Sequence, residues 1–468
     1  MALVFYDTET TGVEPFFDQI LQFAAIKTDP YLEEIQRFEA RSRLLPHVVP
    51  SPEAMSLTGV RVSQLNDPAT PSHYEMARSI FARLDSWSPA LFVGWNSIAF
   101  DENMIRQALY KTLHNPYLTS RVGNSRSDVM RIVQACSLFA PDALVFPVGD
   151  DGTNIFKLAA VAPANGYSHD LAHDAMSDVE ATIHICRLVV ERAPSVWSAF
   201  MRFSKKAAVV DYITDEQVFC VTSFYCGKPY SHLVTTLGQN EQNKADWYLY
   251  DLSNEPAFLE SLNDEELAAR LAEFPKPIRR IKSNGAPMLF SADEAPETCP
   301  GRELPSGELE KRAETVRNNS ALRQRLIFAF EAIRESFPPS PHVEMQIYDS
   351  FFDKSDEILM NAFHHADWAN RPAIVERFRD PRLRTIGKQL IHLERPDLLD
   401  SAVRKQHESA AAKRLLGQCE GVLWLTLPQA MSQLIGMMEK AEGSELAKLK
   451  EFDVYFRNLH DRALGCAR

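Results

Sequence analysis

The stretch 3–12, LVFYDTETTG, decides how this chain is read. Its apolar opening has the composition of a buried strand, and Thr10-Thr11-Gly12 ends it as a turn. Asp7 and Glu9 stand two residues apart. Side chains at i and i+2 of a strand share a face, so both carboxylates reach one point near the strand's C-terminal end. Open α/β sheets place their binding sites along that edge. A lone D-x-E is weak evidence for a metal site and gains weight only from partners elsewhere in the chain.

Outward from that strand, the sequence reads in three parts. From Leu3 to Arg192, the strand-like runs VFYDTE, ILQFAAIKT and ALFVGWN alternate with helical patterns at 72–87, 100–113, 127–139 and 174–192. That alternation predicts an α/β domain whose sheet is covered by helices. From Asp211 to Leu289, the runs VFCVTSFYC, HLVTTL and DWYLYDL predict a small β barrel or sheet with a short helix at 263–273. The turn-rich APETCPGRELPSG then leads into mostly helical sequence, with FPPSPH (337–342) as a linker or hinge.

The chain has 468 residues, 45% hydrophobic and 24% charged, which fits a soluble globular protein and excludes fibrous or largely disordered classes. Single cores rarely grow beyond ~250–300 residues, so more than one domain is expected. No apolar run reaches the ~20 residues that span a bilayer. Asp7 interrupts any signal-peptide core, and a cytoplasmic location is expected. The seven cysteines form no CxxC pair, which argues for free thiols rather than disulfides or structural zinc. A net charge of −13 leans weakly against a nonspecific nucleic-acid coater. A nucleic-acid partner would need local basic patches or bound metal.

Two more segments supply chemistry. In GWNSIAFDENMIRQAL, Asp101 opens a helix beside the apolar stripe Phe100, Met104 and Ala108. In AHDAMSDVEATIHICRLV, the stripe is Met176, Val179, Ile183, Cys186 and Val190, and Asp174 is the expected N-cap. His173 then sits on the preceding loop. Five residues apart on one helix, His173 and Asp178 would diverge by ~140°, but with His173 on the loop both face one site. Singly, these are ordinary capping and dipole-complementing residues. Together, four carboxylates on separate elements would repel one another unless divalent cations neutralise them. Hard oxygen donors favour Mg²⁺ or Mn²⁺ over zinc. Two such ions ~3.5–4 Å apart form the clamp used for in-line displacement at phosphorus. A neutral histidine nearby takes a proton from the attacking water.

The order D-x-E-T-T-G, N-x-x-x-F-D, H-D-A-x-x-D resembles the DEDDh family of 3′→5′ exonucleases. QFAAIKTD, LTGV, NSRSD, the DDG from Asp150, ANG at 164–166, AHDAMSDVEAT and MQIYDSFF (345–352) resemble its exonuclease I branch in particular. The resemblance implies a ribonuclease-H-like α/β exonuclease domain over 1–192. An SH3-like β-barrel domain with added helices follows over 193–340, then a helical C-terminal domain over 341–468. It implies removal of 5′-mononucleotides from the 3′ end of single-stranded DNA, in repair and recombination, with two Mg²⁺ per site and Mn²⁺ as a substitute.

Residue by residue, Asp7, Glu9, Asp101 and Asp178 match the family's metal-binding acids, and His173 matches its general base. Asp7 would bridge both ions, Glu9 and Asp178 would complete one, and Asp101 would support the other partly through water. Glu9 and Thr58, the latter with Gly59 in SLTGV, match positions that meet the terminal nucleotide. Arg106, on the Asp101 helix, and Tyr117, in the NPY turn, are candidates to hold a phosphate or stack a base. Lys157 stands where an arginine is expected in relatives, and a lysine lacks the bidentate fork.

The family also implies a pocket for the acidic tail of single-stranded-DNA-binding protein, with Arg317, Arg323 and Arg325 as candidates. A monomer is expected. In KPIRRIK, the residues Lys276, Arg279, Arg280 and Lys282, joined by Lys205 and Lys206, form either a single-strand groove or a solvated edge strand. Two rivals stand beside this reading. One is a DEDDh enzyme of RNA or short oligonucleotides. The other is an inactive DNA-binding module, which would be expected to have lost one of five site residues that are all present.

Overall fold

A computed structural model describes residues 1–168, 173–225, 227–334 and 340–467. Cys226 and residues 337–339 of FPPSPH lie outside them.

The first part is a five-stranded sheet: β1 (Ala2–Thr10), β2 (Ile20–Thr28), β3 (Glu34–Arg41), β4 (Ala90–Gly94) and β5 (Ser125–Asp128), in the order β3-β2-β1-β4-β5. The first three strands form an antiparallel meander, and β4 and β5 run parallel to β1 and to each other. Alternation along β1 explains why it is apolar on both faces. Leu3 and Phe5 face the layer of helices Val129–Phe139 and Ala175–Arg192, with Val133 and Val179 packed on them. Val4 and Tyr6 face helices His73–Trp87 and Asp101–Lys111, against Ile80 and Ile105. Burying each such side chain stabilises the fold by ~1.5–3 kcal/mol. Local rules set the helix starts. Ser72 and Glu75 close a reciprocal capping box, with the Glu75 amide 3.2 Å from Ser72 Oγ and the Ser72 amide 2.8 Å from the Glu75 carboxylate.

The four expected helices stand where the periodicity places them. One stripe shifts: Val189 is buried and Val190 exposed, because the buried face of that helix runs through Val179, Ile183 and Cys186 to Val189. Two strands carry no apolar alternation and escape the sequence reading. β3 (EIQRFEAR) is a charged, largely exposed edge, and β5 (SRSD) has four polar residues.

Helices Pro194–Phe203 and Lys206–Asp215 lead into a second sheet of β6 (Phe219–Tyr225), β7 (Lys228–Gln239), β8 (Asp246–Asp251), β9 (Ile278–Lys282) and β10 (Met288–Ser291). It is antiparallel throughout, in the order β10-β6-β7-β8-β9, and the helix Asp264–Ala272 falls where expected. The expected barrel is not closed among the described residues, since β9 and β10 are unpaired edges. A flat five-stranded sheet is ~19 Å across, four spacings of ~4.8 Å. The short link 283–287 joins the two edges and begins with a turn (Gly285 N to Lys282 O, 2.9 Å), so the sheet must curl for the chain to connect.

KPIRRIK forms β9 and the approach to it. Arg279 pairs with buried Asp251 at 3.1 Å, Arg280 lies 3.6 Å from buried Asp246, and Lys276 covers the Phe274 ring. Two of its four cations are thus neutralised from within the sheet, which favours the edge-strand reading.

The C-terminal part is helical and packs on the first domain in two places. Phe452 and Phe456 of helix Gly443–Cys466 join Val49, Met55 and Leu65 in one core. Phe363, Phe378 and Ile386 join Tyr74, Tyr110 and Leu113 in another. Cys136, Cys186, Cys220 and Cys299 are buried free thiols, while Cys419 and Cys466 are exposed. No described helix is long and apolar enough to cross a membrane.

Candidate active site

The site forms where β1 ends. Asp7 and Glu9 continue the Leu3–Phe5 face of the strand, toward helix Ala175–Arg192. Across the ladder Ala24 stands opposite Asp7 and Gln22 opposite Glu9, and the register slips between Glu9 and Thr10. Such bulges re-aim side chains at the end of regular pairing.

Asp101 arrives from the opposite layer. β4 must end in glycine, because a Cβ on Gly94 would lie 2.5 Å from the Tyr6 carbonyl oxygen and 2.8 Å from Ser97 Cβ. Asn96 then takes a left-handed φ of 57°. Buried Asp128 holds this turn by accepting the amides of Asn96 (3.0 Å) and Ile98 (3.2 Å). Asp101 opens the next helix and accepts the Thr8 hydroxyl at 2.6 Å. One strand therefore carries two carboxylates on one face and grips a third from the other. Behind Asp101, Glu102 is only 1% exposed and accepts from Thr119 (2.6 Å), Arg126 (2.9 Å), Arg106 (3.0 Å) and Tyr6 (3.3 Å).

His173 and Asp178 come from the start of helix Ala175–Arg192. Asp174 caps it, with Oδ1 accepting the amides of Met176 (3.2 Å) and Ser177 (3.3 Å). His173 has a left-handed φ of 68°, and its amide points to Asp178 Oδ1 at 3.4 Å. Glu9, His173 and Asp178 each offer a ligand atom, all within 4.8 Å of one another.

Crowding of these acids shows in their proton affinities. Burial first, then the Asp178 and Asp101 charges, push Glu9 up to about 9. Burial, with Asp101, Asp178 and Glu9, holds Asp7 well above the usual carboxylate range. Burial raises Asp101 to about 7 against the opposing Thr8 hydrogen bond. Buried, mutually repelling oxygen donors are what a divalent cation relieves, so the residues fit one. The imidazole within reach makes the donor set one that zinc also accepts.

Thr58 ends helix Pro52–Thr58, whose N-cap Ser51 donates its amide to the Thr11 carbonyl (2.7 Å), in the turn after Glu9. Lys157 is exposed at the start of helix Leu158–Ala164, and the Phe156 carbonyl before it accepts the Trp95 indole at 3.1 Å. Arg106 stacks 5.4 Å over Tyr117, but its charge is committed to Glu102. Tyr117 meets Phe351 at 5.4 Å, and the Tyr348 hydroxyl reaches Asn103 at 3.3 Å, so MQIYDSFF docks on the Asp101 helix.

The three arginines expected to receive an acidic tail are spent elsewhere. Arg317 donates to the Glu216 and Thr214 carbonyls, Arg323 to the Arg317 carbonyl, and Arg325 to Asp264 (2.9 Å) and the Leu262 carbonyl (2.6 Å). Lys205 and Lys206 are exposed. Sequence reasoning missed Asp128, Glu102, Gln22 and Arg41. Only Asp128 carries a local signal, as a polar cap directly before the apolar helix at 129–139.

Two family models match the chain: Exonuclease over residues 4–186 and Exonuclease I C-terminal domain over residues 341–459. Exodeoxyribonuclease I of Escherichia coli (strain K12) is 27% identical over 398 residues, covering 81% of this chain and 82% of that protein. The crystal structure of E. coli exonuclease I in complex with a dA16 oligonucleotide superposes with a TM-score of 0.83 at 23% identity, over 98% of this chain and 99% of that one. The zinc-bound form of the E. coli enzyme with single-stranded DNA gives 0.81 at the same identity and coverage. With an exonuclease domain, an exonuclease I C-terminal domain and a curated exodeoxyribonuclease aligned along four fifths of its length, the chain is a relative of exodeoxyribonuclease I and a nuclease of the hydrolase class.

Proposed function

We propose that this chain is a 3′→5′ exodeoxyribonuclease that degrades single-stranded DNA to 5′-mononucleotides. The observation that carries the reading is the meeting of Glu9, His173 and Asp178 within 4.8 Å, beside Asp7 and Asp101. A divalent cation, when bound, would polarise the scissile phosphate and acidify the attacking water. Asp7, Glu9, Asp101 and Asp178 would hold it, and we assign Mg²⁺, two per site, with Mn²⁺ as a substitute. His173 takes the proton of the attacking water. The bond from phosphorus to the 3′ oxygen of the penultimate nucleotide breaks, a 5′-mononucleotide leaves, and the shortened strand keeps a 3′ hydroxyl. Thr8 fixes Asp101 from across the sheet, and Asp128 fixes the turn that delivers it.

Thr58 lines the terminal nucleotide, and Lys157 offers a point charge to a phosphate. Tyr117 stacks a base while Arg106, paired with Glu102, steadies its ring. In this reading residues 1–192 carry the chemistry. The curled sheet within 193–340 is of SH3-like type, and 341–468 completes the path of the strand. We assign a monomeric, cytoplasmic repair and recombination role, with the acidic tail of single-stranded-DNA-binding protein as partner. That tail must bind through cations other than Arg317, Arg323 and Arg325 in their present contacts.

The test is product analysis with Mg²⁺ on matched DNA and RNA strands. Chromatography should find deoxynucleoside 5′-monophosphates from DNA and far slower release from RNA. Faster release from RNA would transfer the assignment to an RNA substrate.

A further inference from the structure

We propose that Gln22 and Arg41 act with Asp174 as a positioning clamp that sets the orientation of His173. The inference rests on the function proposed above and adds Gln22 and Arg41, which lie outside the D-x-E, N-x-x-x-F-D and H-D-A-x-x-D motifs.

Glu9, Gln22 and Arg41 form one cross-strand row, since Gln22 pairs with Glu9 on β1 and with Arg41 on β3. They therefore share the sheet face that carries the catalytic carboxylates. At the end of the row, Asp174 Oδ2 accepts Gln22 Nε2 at 2.9 Å and an Arg41 guanidinium nitrogen at 3.2 Å. Glu39 closes the group, accepting from Gln22 at 3.0 Å and from Arg41 at 2.9 Å. Asp174 spends its other oxygen on the helix start. Asp174 thus ties the sheet edge to the turn carrying His173.

That turn needs holding. His173 adopts a φ of 68°, a region that L side chains enter only when the surroundings impose it. Its amide contact to Asp178 is long, at 3.4 Å. The partners differ in strength. Arg41 and Asp174 have side chains 45% and 36% exposed, and such an ion pair is weak. Gln22 is 3% exposed, so its hydrogen bond is made away from water and matters more.

The experiment measures kcat and KM on a single-stranded oligodeoxynucleotide, strand affinity in EDTA by anisotropy, and the rate at which diethylpyrocarbonate modifies His173, read by mass spectrometry. Gln22→Ala should lower kcat by ~10–100-fold, as a misplaced base would, with KM and affinity nearly unchanged. Arg41→Ala should do less, and Arg41→Lys should recover part of its loss. In a His173→Ala background neither substitution should lower the residual rate further. Equal losses in both backgrounds would overturn the clamp, because the pair would then act apart from His173. A raised KM with normal kcat would overturn it too, by making Gln22 or Arg41 a strand contact. Asp174→Asn, which keeps the cap but loses the charge, serves if Gln22→Ala does not fold. If the wild type released no nucleotide, the functional reading would fail on its own. His173 modification, which needs no turnover, would still judge the clamp: Gln22→Ala should change its rate, and an unchanged rate would refute it.

Discussion

Carboxylates that repel in the absence of metal leave a thermodynamic mark. Glu9 is raised from 4.5 to about 9 and Asp101 from 3.8 to about 7. A carboxyl that holds its proton more tightly folded than unfolded stabilises the fold below its unfolded value and loses that contribution as pH rises through its folded value. In EDTA the melting temperature is therefore expected to fall as pH rises from about 5 to about 9. Saturating Mg²⁺ should flatten or reverse the trend, because the cation takes the deprotonated groups. Calorimetry across that window checks it, and a flat metal-free profile would mean that the acids do not crowd one another. In the reaction, Asp178→Ala should abolish turnover. His173→Ala should lower it by roughly 10²–10⁴ while leaving strand affinity intact. These residues are legible in the sequence because each motif is local. The residues that hold them are not: Gln22 and Asp174 are 152 positions apart, and Thr8 and Asp101 are 93 apart.

Elements are legible where an apolar face marks them and lost where the sequence is polar. The first two strands and four long helices announce themselves by apolar period. β3 and β5 are defined by their partners in the sheet and carry polar sequence. The second sheet shows the same limit, since aromatic runs give its strands but not whether its edges meet. At the end of β4 the backbone passes so close to Tyr6 that no Cβ fits at Gly94. Gly94→Ala must therefore displace the turn leading to Asp101. It should cost ~1–3 kcal/mol in urea unfolding, and should depress kcat more than strand affinity. An unchanged unfolding midpoint would show that the strand end adapts freely.

Across the whole molecule, the C-terminal helices share cores with the nuclease layer rather than hanging from it. Phe456 is fully buried, in a cluster that includes Met55 on the short helix ending at Thr58. Phe456→Ala should destabilise the protein by ~3–5 kcal/mol and lower the melting temperature of the nuclease domain with it. Separate transitions, with only the later one shifted, would contradict that coupling. Strand polarity and single-strand selectivity define the proposed activity. It is tested most directly with a single-stranded DNA 40-mer labelled at its 5′ end, incubated with Mg²⁺ or with EDTA, beside the same strand in blunt duplex. A descending 5′-labelled ladder should form from the single strand, vanish in EDTA and be absent from the duplex. An intact single strand in the presence of Mg²⁺ or Mn²⁺, or immediate release of the 5′ label as a mononucleotide, would contradict it.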